Sequence, residues 1–470
     1  MLRRIPLNEV MDVLERLADA LWQPWLLGLF LFTGLWCSLR SGFFQLFGLP
    51  RWLKGSVGSL FRGRRKPRGK GLTQFQALAT ALASTIGTGS IAGVATAIFF
   101  GGPGAVFWMW ISALLGMMTG CAEKTLAVRY REKSAEGGWR GGPMCYIREG
   151  LGCKWLAAAF SALCVAQTLA GGNLVQTNSI AVSLNSTFGV SKLAVGIVTA
   201  ALAGVVTLGG IGRIGKVSER LVPAMAALFI GGGAVVLAAR AEAIPGAFRD
   251  IVRYAFQPKA IVGGYSMGTA MRFGIARGVF TNEAGLGTSA IAHAAADVDD
   301  PAEQGMWGIF EVFTATIVVC SVTALVILTS GVYSAPCAQA AIRCGTVPEQ
   351  MLGAPLTGAA FAAGLGPFGP VLVSVCLLLF AFTSLLGSCY YGQRGIEFLT
   401  GKPWAMNCYR GAYLAMVVLG CLGDVTAVWQ LVDVIDGLLA LPNLAALLLL
   451  SPEAVRLIRA YSHKKQAGHV

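Results

Sequence analysis

The chain has 470 residues, a length that suits two or three soluble domains or one large membrane protein. Hydrophobic residues make up 55% of it and charged residues only 13%, whereas soluble proteins usually carry about 25% charged residues. So few charges could not cover a water-facing surface. The composition therefore excludes a soluble enzyme, a nucleic-acid-binding domain and a secreted disulfide scaffold as first interpretations.

The net charge of +14 indicates topology rather than a nucleic-acid partner. The basic residues fall in short loops between apolar stretches, as the positive-inside bias of membrane proteins predicts. Placing the basic loop at 40–70 in the cytoplasm puts about 24 basic residues inside and about 9 outside. With eleven spans, the N-terminus is then predicted outside and the C-terminus in the cytoplasm.

Eleven apolar segments follow one another along the chain, most of them near the roughly 20 residues that a membrane-spanning helix needs. They centre on residues 22–39, 74–100, 104–127, 155–180, 192–208, 217–239, 262–292, 305–330, 371–391, 406–423 and 426–450. No cleavable signal peptide is evident, because residues 1–20 mix charged and apolar side chains and no A-x-A site follows the first segment.

The 12 cysteines are scattered, mostly inside apolar segments, and form no C-x-x-C motif. A buried free cysteine usually packs as a small hydrophobic side chain. Cys337 and Cys344 share a predicted outside loop, so they are either a disulfide or two free thiols.

Two segments differ from the rest because clustered glycines lie beside Ser, Thr or Asn near their middle. They are Ala81–Gly93 and Gly274–Gly287. Glycine costs about 1 kcal/mol relative to alanine inside a helix, so these clusters favour unwinding, which membranes tolerate only in buried or cavity-lining backbone. The alternative is that the glycines only allow close helix packing.

Each of these two segments opens a run of five segments. This predicts one half at residues 72–240 and another at 241–470, preceded by an extra helix and a basic loop at 1–71. Interrupted helices at corresponding positions of two halves are typical of inverted-repeat secondary transporters, with substrate and ion near the middle of the membrane. The pattern thus predicts a transporter without naming its substrate.

Motifs throughout the chain resemble those of the alanine/glycine:cation symporter family of amino acid carrier proteins. They are Gly87–Ala97, Gly101–Trp110, Gly141–Met144, Gly172–Ser179, Ala276–Gly287, Ile291–His293, Phe380–Ser384 and Pro442–Asn443. The resemblance implies an all-α polytopic membrane protein with a LeuT-like 5+5 inverted repeat and one extra N-terminal helix. It also implies sodium-coupled uptake of alanine or glycine by alternating access across the bacterial inner membrane, without an organic cofactor.

An amino acid substrate needs partners for both its carboxylate and its ammonium. A half-helix N-terminus offers amide N–H groups and a positive dipole end to the carboxylate, and Thr88, Gly89 and Ser90 stand where the second half of the first interrupted segment should begin. Asn282, Gly285 and backbone carbonyls at the other break are predicted to face the ammonium.

Two further polar residues are predicted at the substrate site. The resemblance implies that Gln176 contacts substrate, although a hydrogen bond that serves only helix packing is the alternative. Ser388 stands where the family usually has Trp, and this smaller side chain would open the pocket. Ser90 replaces the family's Asn and Ala315 its Asp, so a larger or differently polar substrate stays open.

The resemblance also implies a sodium site between the first broken helix and the eighth core helix. The matching oxygens are the carbonyls of Ala83, Ile86 and Phe380 and the hydroxyls of Thr383 and Ser384. Unwound carbonyls and hydroxyls are natural sodium ligands in such transporters. The alternative is that these hydroxyls bond back to carbonyls of their own helix.

Ionisable residues within the apolar segments are Glu123, Arg272, Arg277, Glu283 and Glu311. Such residues are functional candidates because burying a bare charge is costly, but we favour structural roles. These are an ion pair of Arg277 with Glu283, snorkelling of Glu123 and Lys124 to the cytoplasmic interface, and an interfacial His293.

The rival class is a membrane-embedded enzyme, which would need clustered His, Asp or Glu, or a nucleophile beside a base. The chain has 3 His and neither an H-E-x-x-H nor a G-x-S-x-G motif. Within transport, proton coupling and a different substrate are the alternatives. The predicted partners are an amino acid and membrane lipid but no nucleic acid. The oligomeric state stays open, and a monomer is compatible with the sequence.

Overall fold

The computed structural model describes residues 7–60, 71–134, 137–258, 265–344, 351–423 and 426–466. These ranges are almost entirely helical. Several basic residues of the predicted cytoplasmic loop, at 61–70, lie outside them.

The first half of the chain contains fourteen helices within the described residues. They are α1 (Leu7–Leu21), α2 (Pro24–Ser41), α3 (Phe44–Phe47), α4 (Leu49–Gly55), α5 (Val57–Leu60), α6 (Gln74–Thr85), α7 (Ala92–Gly101), α8 (Gly104–Arg129), α9 (Pro143–Gly150), α10 (Lys154–Leu169), α11 (Val175–Phe188), α12 (Lys192–Thr207), α13 (Gly210–Ala239) and α14 (Ile244–Ala255).

The second half contains nine helices within the described residues. They are α15 (Met267–Asn282), α16 (Ala290–Ala294), α17 (Pro301–Val312), α18 (Ser321–Thr329), α19 (Ala335–Cys344), α20 (Gly353–Leu365), α21 (Phe368–Thr400), α22 (Pro403–Leu422) and α23 (Thr426–Gln466). Short π-helical turns at Ala170–Leu174 and Phe313–Cys320 join α10 to α11 and α17 to α18.

Within the described residues each of the eleven predicted segments contains helix, but only seven described helical stretches are long and apolar enough to cross a membrane. The count is eight if α1 and α2, which meet at a bend of 42°, form one span. The remaining segments are α12, which has 16 residues, and the two interrupted ones. Among the described helices of ten or more residues, α1, α14, α19 and α20 lie outside the predicted segments.

The two glycine-rich segments are interrupted by the same succession of elements. A capping box at Thr73 starts α6, which ends at Thr85, and a 3-10 turn leads into α7. A capping box at Ser266 starts α15, and non-helical backbone at residues 283–289, which we call the linker, leads into α16.

Glycines let α8 approach its neighbours closely at the centre of the molecule. A Cβ added at Gly274 of α15 would lie 2.3 Å from the carbonyl oxygen of Ala105. One added at Gly308 of α17 would lie 2.7 Å from the carbonyl oxygen of Gly120. Small residues at such contacts are the usual means of packing membrane helices, and here they allow α15 and α17 to pack closely against α8.

The loop after α8 folds into an antiparallel ribbon of β1 (Glu132–Lys133) and β2 (Trp139–Arg140). The Glu132 carboxylate accepts hydrogen bonds of 2.6 Å from Arg140 and from Arg148 of α9. Burial raises the pKa of Glu132, but these hydrogen bonds and positive charges lower it more, so its pKa lies below the ordinary range.

Cys337 and Cys344 are both exposed free thiols on α19, so the disulfide alternative is wrong. Seven residues of helix separate them by about 10 Å along the axis. Cysteines whose Cα atoms are more than about 7 Å apart cannot be bridged without moving the backbone.

Candidate functional site

A small polar cavity lies where the break between α6 and α7 faces the π turn before α11, the end of α15 and the middle of α21. Its lining residues are Ser84, Thr85, Gly87, Gly89, Gln167, Gly171, Gly172, Gln176, Phe280, Glu283 and Ser388. Three of the predicted substrate residues, Gly89, Gln176 and Ser388, are therefore brought together on one wall.

Gln176 hydrogen-bonds both to the turn between α6 and α7 and to the π-helical turn before α11. Its Oε1 accepts a hydrogen bond of 3.2 Å from the Thr88 N–H, and its Nε2 donates one of 3.2 Å to the Gly171 carbonyl. The side chain thus makes an interhelical packing bond and also lines the cavity, and its contact with substrate stays a prediction.

Close approach explains two glycines of the wall. A Cβ at Gly87 would lie 2.5 Å from the Ser384 hydroxyl, and a Cβ at Gly172 would lie 2.5 Å from both side-chain atoms of Ser388. Any larger residue at either position would displace its neighbour. Ser388 consequently fills the space that Gly172 leaves, at the rim of the cavity.

The other predicted substrate residues lie outside this lining. Ser90 is buried, and its carbonyl accepts from the Thr323 hydroxyl at 2.8 Å. The Asn282 side chain donates to the Thr316 hydroxyl at 3.1 Å and accepts from a linker N–H, so it holds the start of the linker. Gly285 faces away from the cavity, because a Cβ there would meet the Phe30 ring at 2.5 Å.

Four of the five oxygens predicted to bind sodium hydrogen-bond with one another in two pairs, and the site itself stays a prediction. The Ser384 hydroxyl donates to the Ala83 carbonyl at 2.9 Å, across the α6–α21 contact. The Thr383 hydroxyl donates to the Phe380 carbonyl at 3.0 Å within its own helix. Ile86 is buried and caps α6 through its N–H.

Glu283 is a cavity residue that the sequence interpretation placed elsewhere. Its predicted partner Arg277 instead makes two hydrogen bonds of 2.9 Å to Asp433 of α23, so the predicted pair is wrong. The Glu283 carboxylate accepts from the hydroxyls of Ser84, at 2.7 Å, and Thr288. An acidic residue at a helix C-terminus, where glycine is usual, was the signal that could have singled it out.

Behind the linker lies a fully buried ionic network. The Lys124 ammonium is 3.4 Å from carboxylate oxygens of both Glu123 and Glu311. The Glu311 carboxylate is also 3.0 Å from Nε2 of His293. All four side chains have zero exposure, so the predictions that Glu123 and Lys124 snorkel and that His293 is interfacial are wrong.

The network also holds the linker itself. The Glu123 carboxylate accepts a 2.8 Å hydrogen bond from the Gly285 N–H and another of 2.8 Å from the Asn443 amide. Asn443 in turn donates to the Gly285 carbonyl at 2.8 Å. The N–H and the carbonyl of Gly285 are therefore both satisfied by side chains of α8 and α23, as unwound backbone at membrane depth requires.

An apolar helical protein with two interrupted helices around a buried polar cavity has the architecture of a membrane transporter. The chain belongs to the sodium:alanine symporter family, whose profile matches residues 7–470. Family and relatives are transporters, so the alternative of a membrane-embedded enzyme is excluded.

Several curated relatives are similar over nearly their whole length. The chain is 41% identical to the sodium/alanine symporter AgcS of Methanococcus maripaludis, over 94% of this chain and 95% of that one. It is 38% identical to the amino-acid carrier protein AlsT of Bacillus subtilis, over 96% and 92%. It is 36% identical to the probable sodium/glutamine symporter GlnT of the same organism, over 96% and 90%.

Among solved structures, the fold is similar to that of a manganese transporter from Eremococcus coleocola, crystallised with an aromatic bis-isothiourea substituted compound. The TM-score is 0.57 at 15% identity, over 82% of this chain and 84% of that one. At this identity the likeness concerns the fold alone.

Proposed function

We propose that this protein is a sodium-coupled symporter that moves a small neutral amino acid, alanine or glycine first, into the cell by alternating access. The observation that carries the proposal is the cavity between the two interrupted helices, in a member of the sodium:alanine symporter family. Its lining consists of Gly, Ser, Thr, Gln and Glu residues with a single Phe, and convergent polar groups of this kind suit a small polar substrate.

In this proposal the substrate carboxylate binds at the turn before α7, where Thr88, Gly89 and Ser90 stand at the positive helix end. The Thr88 N–H, which donates to Gln176, and the Ser90 N–H, which donates to the Gly87 carbonyl, exchange these partners for the carboxylate. Gln176 and Ser388 contact the substrate from the same wall. Two more of the predicted residues, Asn282 and Gly285, act by shaping the linker rather than by touching the substrate.

The coupling sodium ion is proposed at the carbonyls of Ala83, Ile86 and Phe380 and the hydroxyls of Thr383 and Ser384. The 2.9 Å separation of the Ser384 hydroxyl and the Ala83 carbonyl supports this site, because two of its oxygens already lie side by side. A hydroxyl that now donates to a carbonyl can rotate its proton away and present a lone pair to a cation.

The proposed architecture is a LeuT-like 5+5 inverted repeat, with residues 72–240 and 241–470 as its halves and 1–71 as the extra N-terminal part. The shared succession of capping box, short helix, break and second helix at the start of each half supports it. The proposed location is the cell membrane, with the N-terminus outside and the C-terminus in the cytoplasm.

A larger polar substrate, such as glutamine, is the second candidate. The observation that favours it is the pair of small residues Ser388 and Gly172 beside the cavity, because the Trp that the family usually has in place of Ser388 would close this space. Gln167 on the same wall offers an amide to a polar side chain.

Uptake of labelled amino acids into proteoliposomes tests the proposal. Alanine or glycine should accumulate with an inward sodium gradient and not without it. Accumulation driven by a proton gradient in the absence of sodium would replace sodium with proton coupling. Uptake of glutamine that alanine and glycine do not inhibit would favour the second candidate.

A further inference from the structure

The Glu283 carboxylate is a buried charge without a cationic partner. The residue is 6% exposed and lines the cavity. Its oxygens receive hydroxyl groups from Ser84 and Thr288. Throughout the described ranges, no Lys, Arg or His makes an ion pair with it. Buried charges in proteins are normally paired, so a cation is missing from this wall.

The cations closest in the fold are already neutralised by other carboxylates. Arg277 makes its bidentate contact with Asp433. Lys124 lies between Glu123 and Glu311, two carboxylates for one ammonium. Neither has a positive charge left over for the cavity.

The ends of two half-helices add negative potential at the same place. Ser84, which donates to the Glu283 carboxylate, belongs to the last turn of α6. Glu283 itself is the C-terminal cap of α15. Helix C-termini carry partial negative charge and attract cations, so a cation that joins an anion placed between two of them is bound favourably.

The backbone conformation of Glu283 indicates that its side chain has a role beyond forming the turn. Its φ of 54° lies in the left-handed region, where a helix cap normally uses glycine. Strained backbone of this kind persists where a ligand or a switch requires it. Glycine would suit the turn better but would remove the carboxylate from the cavity.

We propose that Glu283 is the counter-charge for the ammonium group of the substrate. This inference rests on the proposed function and narrows its substrate class to amino acids with a free ammonium, excluding simple carboxylates of the same size. An ammonium has three donors, and charge-assisted hydrogen bonds to a carboxylate are strong. We choose the substrate rather than sodium because Glu283 lines the cavity, whereas Ala83 and Ser384 lie outside its lining.

The test compares wild type with Glu283→Gln, which keeps the shape of the side chain, and with Glu283→Gly, which also relieves the backbone. The control is Glu149→Gln, whose carboxylate is 57% exposed on α9. Proteoliposomes take up labelled alanine in competition with unlabelled alanine or with propionate, which is alanine without its amino group. Sodium dependence is measured alongside, and thermal unfolding in detergent verifies folding.

In the wild type, alanine should compete far better than propionate. Glu283→Gln should raise the alanine KM roughly 30-fold or more, as expected when one partner of a buried charge pair is lost. It should also reduce the preference for alanine over propionate at least about tenfold. Glu149→Gln should match wild type, and a folded Glu283→Gly should lose affinity as Glu283→Gln does.

An unchanged alanine-to-propionate preference in folded Glu283→Gln would overturn the inference. So would a change confined to the sodium concentration for half-maximal uptake, which would assign Glu283 to the ion. If Glu283→Gln does not fold, the folded Glu283→Gly decides by the same preference. Absence of sodium-dependent alanine uptake by wild type would instead overturn the proposed function, independently of the variants.

Discussion

Replacing Lys124 with methionine should be among the most destabilising single changes in the described part of this protein. The Lys124 ammonium is fully buried and lies 3.4 Å from each of Glu123 and Glu311. At an effective dielectric constant of about 20, each contact is worth about 5 kcal/mol of Coulomb energy, much of it offset by desolvation. Removing one member of a buried ionic group typically lowers the free energy of unfolding by about 3–5 kcal/mol, because the remaining charges lose their partner.

A second variant separates lost charge balance from lost packing. Lys124→Met combined with Glu311→Gln removes one positive and one negative charge together. Glu123 then keeps its hydrogen bonds from the Gly285 N–H and the Asn443 amide. The double variant should therefore be more stable than Lys124→Met alone, which is the non-additivity expected of residues in one network.

The assay is thermal unfolding in detergent, followed by circular dichroism at equal protein concentration. The control is Arg129→Met on the same helix, whose pair with Glu453 is 53% exposed on the arginine side. Exposed pairs contribute only about 0–1 kcal/mol, so this variant should unfold close to wild type. A Lys124→Met protein as stable as wild type, or a double variant less stable than the single one, would refute the electrostatic reasoning.

Three further predictions concern the ion, the substrate and pH. Thr383→Ala should raise the sodium concentration for half-maximal uptake roughly tenfold, because one charge-assisted ligand is lost. This change should appear before any change in maximal transport. Unchanged sodium dependence in folded, inserted protein would contradict the prediction. Ser388→Trp should shrink the cavity and shift competition in a panel of amino acids toward glycine and alanine; a wild type already restricted to those two, matched by the variant, would show that Ser388 does not set selectivity. The lowered pKa of Glu132 stabilises the folded state above the ordinary pKa of glutamate, about 4.3, and this stabilisation is lost as acidification passes through the lower folded pKa. The stability advantage of wild type over Glu132→Gln should therefore decline as the pH falls below about 4. An advantage that stays constant with pH would exclude the ionic contribution of Arg140 and Arg148.

The interrupted helices could be predicted because their cause is local. Glycine weakens a helix wherever it stands, and the clusters at Gly87–Gly93 and Gly285–Gly287 fall within or beside the breaks. The helix α20 was missed for the opposite reason. Its 13 residues are apolar but too few for a pattern that requires about 20.

The ionic network could not be predicted, because its members come from segments far apart in the chain. Lys124 lies near the polar end of α8, where a long basic side chain usually reaches the interface. The structure encloses it because Gly308 brings α17 against Gly120, leaving the Lys124 side chain only 3.0 Å from where a Cβ of residue 308 would stand. The sequence shows where the small residues are but not which helix packs against them.

The linker between α15 and α16 joins the two polar centres of the molecule. At one end, Glu283 presents its carboxylate to the cavity. Two residues later, the N–H of Gly285 is held by Glu123 at 2.8 Å and its carbonyl by Asn443 at 2.8 Å. A movement of Glu283 on substrate binding must therefore either break these hydrogen bonds in buried surroundings, where unpaired backbone groups are costly, or carry α8 and α23 along. The second course requires no unpaired group, so a change at the cavity is transmitted most readily to these two helices.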